Sequence, residues 1–186
     1  NPPAHFVKIL QGPAAFVPNE TFEDLNGNGI FDLGETPLTQ AYNNKGEFLG
    51  IDTLRGAKNI NINSVTQYMS SHATLGDPND ENELYNYLLG GKTKKGDSIY
   101  ISTWAFGNGS IIGNDSANVP SKFMYSGNPV DGTGWLNTTP IDQRIMTNIG
   151  PFNLKKDVPV DIIAAHVIAR GTDALNSVSV TSQYCK

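Results

Sequence analysis

One twelve-residue run carries the clearest chemistry in this chain: Asp24-Leu25-Asn26-Gly27-Asn28-Gly29-Ile30-Phe31-Asp32-Leu33-Gly34-Glu35. It fits the calcium-loop pattern D-x-[DN]-x-[DN]-G-x5-E at every specified position. Calcium is a hard cation that takes about six to eight oxygens in flexible geometry. Asp24, Asn26 and Asn28 offer side-chain oxygens at alternate positions, and Gly29 permits the sharp turn that aims them inward. Ile30 offers its backbone carbonyl, Asp32 sits where a direct or water-mediated ligand belongs, and Glu35 can close the shell with two oxygens. Three carboxylates so close together repel one another unless a cation sits among them. The competing reading is a polar Asn-Gly turn. Mg²⁺ suits the pattern less well, because it prefers a tight octahedron that retains several waters.

Other reactive side chains form no comparable set. His5, His72 and His166 lie in no paired-ligand spacing such as HExxH. His166 falls in the most apolar stretch and reads as an interior histidine. There is no G-x-S-x-G elbow. Gly107-Asn108-Gly109-Ser110-Ile111-Ile112-Gly113 has one residue too many for G-x-G-x-x-G. The acids that could serve glycoside hydrolysis are explained by the loop and by a helix start. Trp104 and Trp135 lie near Gly-rich loops with Tyr100, Phe106, Phe123 and Tyr125 close by. They are candidate sugar-ring binders; the alternative is that they fill the core. Asn19, Asn108, Asn114 and Asn137 open N-x-[ST] sequons, informative only in a secreted eukaryotic protein.

The elements that would position these residues are short. His5 to Leu10 reads as a strand closed by Gly12-Pro13, and Ala14 to Val17 as a second. Pro18 leaves only Asn19 to Glu23 ahead of the loop, and Pro37 stops a helix after it. The loop is therefore expected to lack the helix pair of a calcium switch. Phe48 to Thr53, Ile60 to Met69, Ser98 to Trp104 and Arg144 to Asn148 read as strands. Val158 to Ala169 is the strongest, continuously apolar over Ile162 to Val167 as in a fully buried strand. A helix is expected over Asp80 to Leu89, capped by Asp77 or Asn79, with Leu84, Tyr87 and Leu88 on one face. Val178 to Thr181 fits a strand or the start of a final helix. Many short strands, frequent Gly/Pro turns and one short helix point to a mainly β fold: an antiparallel, sandwich-like domain with long Gly/Asn-rich loops.

The bulk numbers agree. A chain of 186 residues fits a single domain, residues 1–186. Only 17% of residues are charged, so the surface relies on Asn, Ser, Thr and Gly, a composition more extracellular than cytoplasmic. A net charge of -5 argues against nucleic-acid binding, which needs a basic stripe. No apolar run of about 18 residues occurs, so no helical membrane span is expected. The single cysteine, Cys185, reads as a spare thiol, with pairing to another chain as the alternative. The Asn1-Pro2-Pro3 opening suggests a processed or partial chain.

A longer pattern runs through the second half. Tyr85-Asn86-Tyr87-Leu88 precedes Gly90; Pro120-Ser121-Lys122-Phe123-Met124-Tyr125-Ser126-Gly127-Asn128-Pro129-Val130 precedes Gly134-Trp135. Asp142-Gln143-Arg144, Gly150-Pro151-Phe152-Asn153-Leu154 and Ala169-Arg170-Gly171-Thr172-Asp173-Ala174-Leu175-Asn176-Ser177-Val178 follow. With the calcium loop, this order resembles an extracellular region of large secreted proteins of the Bacteroidetes and related phyla, which commonly end in a type IX secretion sorting domain. The resemblance covers roughly Glu23 to Val178. It implies export across the outer membrane followed by display or release, and no enzymatic role. The chain departs from that architecture in having no sorting domain at its end, as a fragment of a longer polypeptide would.

Glycan attachment in that group resembles Asp-[Ser/Thr]-apolar. Asp52-Thr53-Leu54, Asp97-Ser98-Ile99 and Asp115-Ser116-Ala117 match it, making Thr53, Ser98 and Ser116 glycosylation candidates. Thr53 and Ser98 fall in expected strands; Ser116, in a polar loop, is the best placed. The expectation is a non-catalytic, calcium-stabilised extracellular structural domain of a bacterial surface or secreted protein. Its partners would be other domains or subunits of a surface assembly, and glycans. The alternatives are a carbohydrate-binding or adhesive module using Trp104 or Trp135, and a subunit of a polymeric surface fibre.

Overall fold

The computed structural model describes residues 1–45, 49–101, 108–110 (backbone alone), 121–138, 142–154 and 156–186. Their strands are β1 (Ala4–Gln11), β2 (Ala14–Ala15), β3 (Gln40–Asn44), β4 (Ile51–Arg55), β5 (Lys58–Asn59), β6 (Ile62–Met69), β7 (Asn108–Ser110), β8 (Gly134–Leu136), β9 (Gln143–Ile149) and β10 (Ile163–Ala169). The helices are α1 (Glu81–Leu89) and α2 (Ala174–Tyr184). The fold is mainly β, with several antiparallel sheets and a second helix beyond the one expected. Ladders among the described residues are two-stranded: β1 with β10, β2 with β5, β3 with β4, β6 with β9 and β7 with β8. Contacts divide the chain into two compact units. One comprises Asn1–Phe6, Ile62–Asn148 and Val167–Lys186; the other Val7–Asn61 and Ile149–His166.

The first unit is built on Met69, Leu75, Ile99, Met124 and Trp135, with Ile101 and Tyr125 packed against them. Segment 122–124 is tied to β6 by Val65 N–H donating to the Lys122 carbonyl and Met124 N–H donating to the Val65 carbonyl. Helix α1 is started by Asp80, whose carboxylate accepts from Glu83 N–H at 2.9 Å. Asp77 and Asn79 do not cap it: the residue with extended backbone just before the first helical turn is Asp80. The inward face also differs from expectation. Glu83 and Tyr87 are buried, while Leu84 and Leu88 are exposed. A carboxylate can take the inward position because Lys94 and Lys95 both pair with it and Asn79 N–H donates to it.

The last carbonyls of α1 are met from outside the helix. Thr66 Oγ1 and Asn148 Nδ2 each donate to the Tyr87 carbonyl at 3.0 Å, and Asn148 Nδ2 also donates to Ser64 Oγ at 2.9 Å. Gly90 ends the helix at φ 72°. Helix α2 buries Ser177 and Thr181, one turn apart. Each hydroxyl has one proton and a choice of carbonyls within reach: Asp173 in the helix or Pro2 outside it for Ser177, and Ser177 in the helix or Ala4 outside it for Thr181. A helix whose buried stripe is Ser and Thr gives no apolar periodicity, which is why the pattern over Val178 to Thr181 fits a strand as well as a helix.

The second unit holds β2–β5 and the β3–β4 hairpin, in registers Ala14 opposite Asn59 and Tyr42 opposite Thr53. Asn59 joins them: its Nδ2 donates to the Gly12 and Tyr42 carbonyls, and its Oδ1 accepts from Tyr42 N–H. Phe22, Ala41 and Ala57 are fully buried. Strand β3 carries no apolar alternation, because its five residues, Gln-Ala-Tyr-Asn-Asn, bury only Ala41.

The strand expected over Val158 to Ala169 begins only at Ile163, and it is not fully buried. Ile162, Ile163 and Ile168 are exposed, and so is His166, which is therefore not an interior histidine. A strand in a two-stranded ladder has too few neighbours to cover both its faces. Ser98 makes only an isolated bridge with Lys92. The rest of the strand proposed to Trp104, and Phe48 at the start of another, lie outside the described residues.

Candidate metal-binding loop

The loop from Asp24 to Glu35 lies within the second unit. No helix flanks it, as the prolines implied. Its base is closed by backbone pairing: Glu23 N–H donates to the Thr36 carbonyl at 2.9 Å, and Phe22 bridges Pro37 in antiparallel fashion. Phe31, the eighth residue, anchors it from inside. Its ring lies 5.3 Å from that of buried Phe22 and stacks 6.0 Å from Phe16. Sequence reasoning passed over Phe31; its signal was an aromatic in an otherwise polar loop, where burial must fix the turn.

Inside the loop, side-chain oxygens meet backbone N–H groups in an ordered series. Asp24 Oδ1 accepts from Asn28 N–H at 3.2 Å and Asp24 Oδ2 from Gly29 N–H at 2.9 Å. Asn26 Oδ1 accepts from Asn28 N–H, and Asn28 Oδ1 from Ile30 N–H at 2.7 Å. Glu35 spans the loop: Oε1 accepts from Leu25 N–H at 3.0 Å and Oε2 from Asp32 N–H at 2.9 Å. Gly27 and Gly29 have φ of 71° and 76°, a region costly for a side chain with Cβ. The pattern's demand for glycine at position 29 thus has its steric reason in the backbone.

Asp32 is the electrostatic centre of this arrangement. Its Oδ2 accepts from Asn26 Nδ2 at 3.0 Å and Asn28 Nδ2 at 2.7 Å. These amides, Asn26 first, hold its carboxyl below the ordinary carboxylate value. The loop thus turns the positive ends of two amide dipoles toward a carboxylate that a cation would otherwise neutralise. Among the described residues no three His, Cys, Asp or Glu side chains gather as a metal-binding group. The loop's donor set is mixed: carboxylates of Asp24, Asp32 and Glu35, amide oxygens of Asn26 and Asn28, and the Ile30 carbonyl. That all-oxygen chemistry fits a hard divalent cation.

The other candidates separate from this loop. Trp135 is 3% exposed, packed in the core of the first unit with its ring 4.9 Å from that of Tyr125. It is a core residue and not a sugar-binding platform, because a buried indole presents no face to a ligand. Trp104 and Ser116 lie outside the described residues. Thr53 and Ser98 are both exposed, Thr53 on β4 and Ser98 beside its bridge to Lys92. No described helix is long and apolar enough to cross a membrane. A scan against protein-family models and searches of curated proteins and of solved structures return no match to this chain.

Proposed function

We propose that this chain is a non-catalytic, calcium-stabilised extracellular structural domain of a bacterial secreted or cell-surface protein. The observation that carries the reading is the Asp24–Glu35 loop. Every specified ligand position is filled, its glycines adopt left-handed backbone, and Glu35 reaches back across the loop to Leu25 N–H. Asp24, Asn26, Asn28, Asp32 and Glu35 would hold the ion with side-chain oxygens and Ile30 with its carbonyl. Calcium would supply the charge that balances the three carboxylates, and nothing more chemical than that.

The role is a clamp and not a switch. A calcium switch needs two helices whose angle changes on binding. Here an antiparallel bridge and the Phe16, Phe22 and Phe31 cluster hold the loop's ends and middle. An ion that binds the folded chain selectively raises its stability by mass action. Extracellular modules bind calcium at about 10⁻⁴ to 10⁻³ M, a level suited to a constant supply.

The secreted location rests on the family resemblance and on the sparse charge of the surface. A place beside other domains or subunits is supported by apolar side chains turned outward. Phe152, Leu154, Val158 and Ile162 are exposed around one concavity of about 810 Å³ in the second unit. Exposed Thr53 and Ser98 remain available for sugar attachment. Thermal melts with and without calcium test the reading: a rise in Tm supports it, and coincident melts oppose it.

A further inference from the structure

We propose that Asn28 is a modification site at which the chain deamidates itself, the Gly29 backbone nitrogen attacking the Asn28 side chain. Three observations carry this. Asn28 and Gly29 are exposed, so water reaches them, and Gly29 has no Cβ to block approach of its nitrogen. Asn28 Oδ1 accepts from Ile30 N–H at 2.7 Å, which holds the side-chain carbonyl over the chain that follows and polarises it. Gly29 N–H donates to Asp24 Oδ2 at 2.9 Å, which puts a carboxylate on the proton that the nucleophile must lose.

The steps balance with water as the only co-reactant. The Gly29 nitrogen bonds to Asn28 Cγ and gives its proton to Asp24, while the carbonyl electron pair moves to Oδ1. Collapse of that oxyanion breaks the Cγ–Nδ2 bond, and ammonia leaves with the proton returned by Asp24. The five-membered imide then adds water. Opening at Cγ leaves an aspartate at position 28; opening at the main-chain carbonyl of residue 28 leaves an isoaspartyl link.

Asn26-Gly27 supplies an internal comparison. Its Asn26 Oδ1 also accepts a backbone N–H, from Asn28 at 3.0 Å. Among the described hydrogen bonds, however, none joins Gly27 N–H to a carboxylate. Asn28 is therefore the faster site. Its conversion adds a fourth negative charge to a loop already holding three carboxylates. The isoaspartyl product also inserts the Cβ of residue 28 into the main chain, directly before Gly29, where φ is 76°.

Assignment of the reacting residue does not rest on the metal reading; protection by an ion does. The test is peptide mapping by mass spectrometry of the full chain, held at mildly alkaline pH in chelator. Conversion of amide to acid is expected severalfold faster at Asn28 than at Asn26, with isoaspartate among the products. Asp24→Asn should slow Asn28 and leave Asn26 unchanged, and Gly29→Ala should slow Asn28 about tenfold by crowding the near-attack geometry. Equal or faster conversion at Asn26, or acceleration by Asp24→Asn, would overturn the proposal. In a parallel arm with calcium, slowing at Asn28 supports the metal reading. An unchanged rate there counts against the metal reading alone and leaves the site assignment standing.

Discussion

The ring of Phe31 lies so close over Gly56 that a methyl group at that glycine would come within 2.9 Å of Cε1. One residue belongs to the polar loop and the other to the turn between β4 and β5. Gly56 also has φ of 76°, so a side chain there is opposed twice. Gly56→Ala is expected to destabilise the chain by about 1–3 kcal/mol, read from the urea midpoint. A change within the error of the wild type would mean that Phe31 does not anchor the loop.

Glu83 should make stability fall in acid. A hydrogen bond from Lys95, then one from the Asn79 N–H, bring its carboxyl down to about 2 from 4.5, against the opposing effect of burial. A group whose pKa is depressed on folding contributes fully above its unfolded value. That contribution is lost as pH falls from about 4.5 towards 2. Urea midpoints across this window should drop for the wild type and drop less for Glu83→Gln, which has no proton to gain. Parallel curves for the two proteins would rule out Glu83 as the titrating group.

The end of α1 offers a double-mutant cycle. Thr66 and Asn148 donate to the same Tyr87 carbonyl, so either can partly replace the other. Thr66→Val and Asn148→Ala should each cost about 1–2 kcal/mol. Together they should cost more than their sum, because the carbonyl then loses both side-chain donors. Simple additivity would show that the two act on separate groups.

Local chemistry explains which parts of this molecule were legible before its structure. The Asp24–Glu35 pattern, the missing helix pair around it and the acidic start of α1 all follow from residue types within a few positions of one another. Glu83 was unreadable, because its partners Lys94 and Lys95 lie beyond the helix and only the fold brings them back. Ser177 and Thr181 hid α2, since hydroxyls buried by hydrogen bonding leave no hydrophobic stripe. The apolar run from Ile162 to Val167 misled in the opposite direction: its sequence suited a covered strand, yet its ladder has a single partner strand. Trp135 went to the core, as large aromatics commonly do.

The most direct test is calorimetry of the full chain after chelation, with calcium returned in steps to millimolar levels, beside Asp24→Ala treated identically. The account predicts that calcium raises Tm of the wild type by the equivalent of about 1–3 kcal/mol, growing with concentration as mass action requires. Asp24→Ala should melt like the chelated wild type and respond little. Superimposable wild-type melts across the whole titration, with no heat of binding, would contradict the calcium clamp.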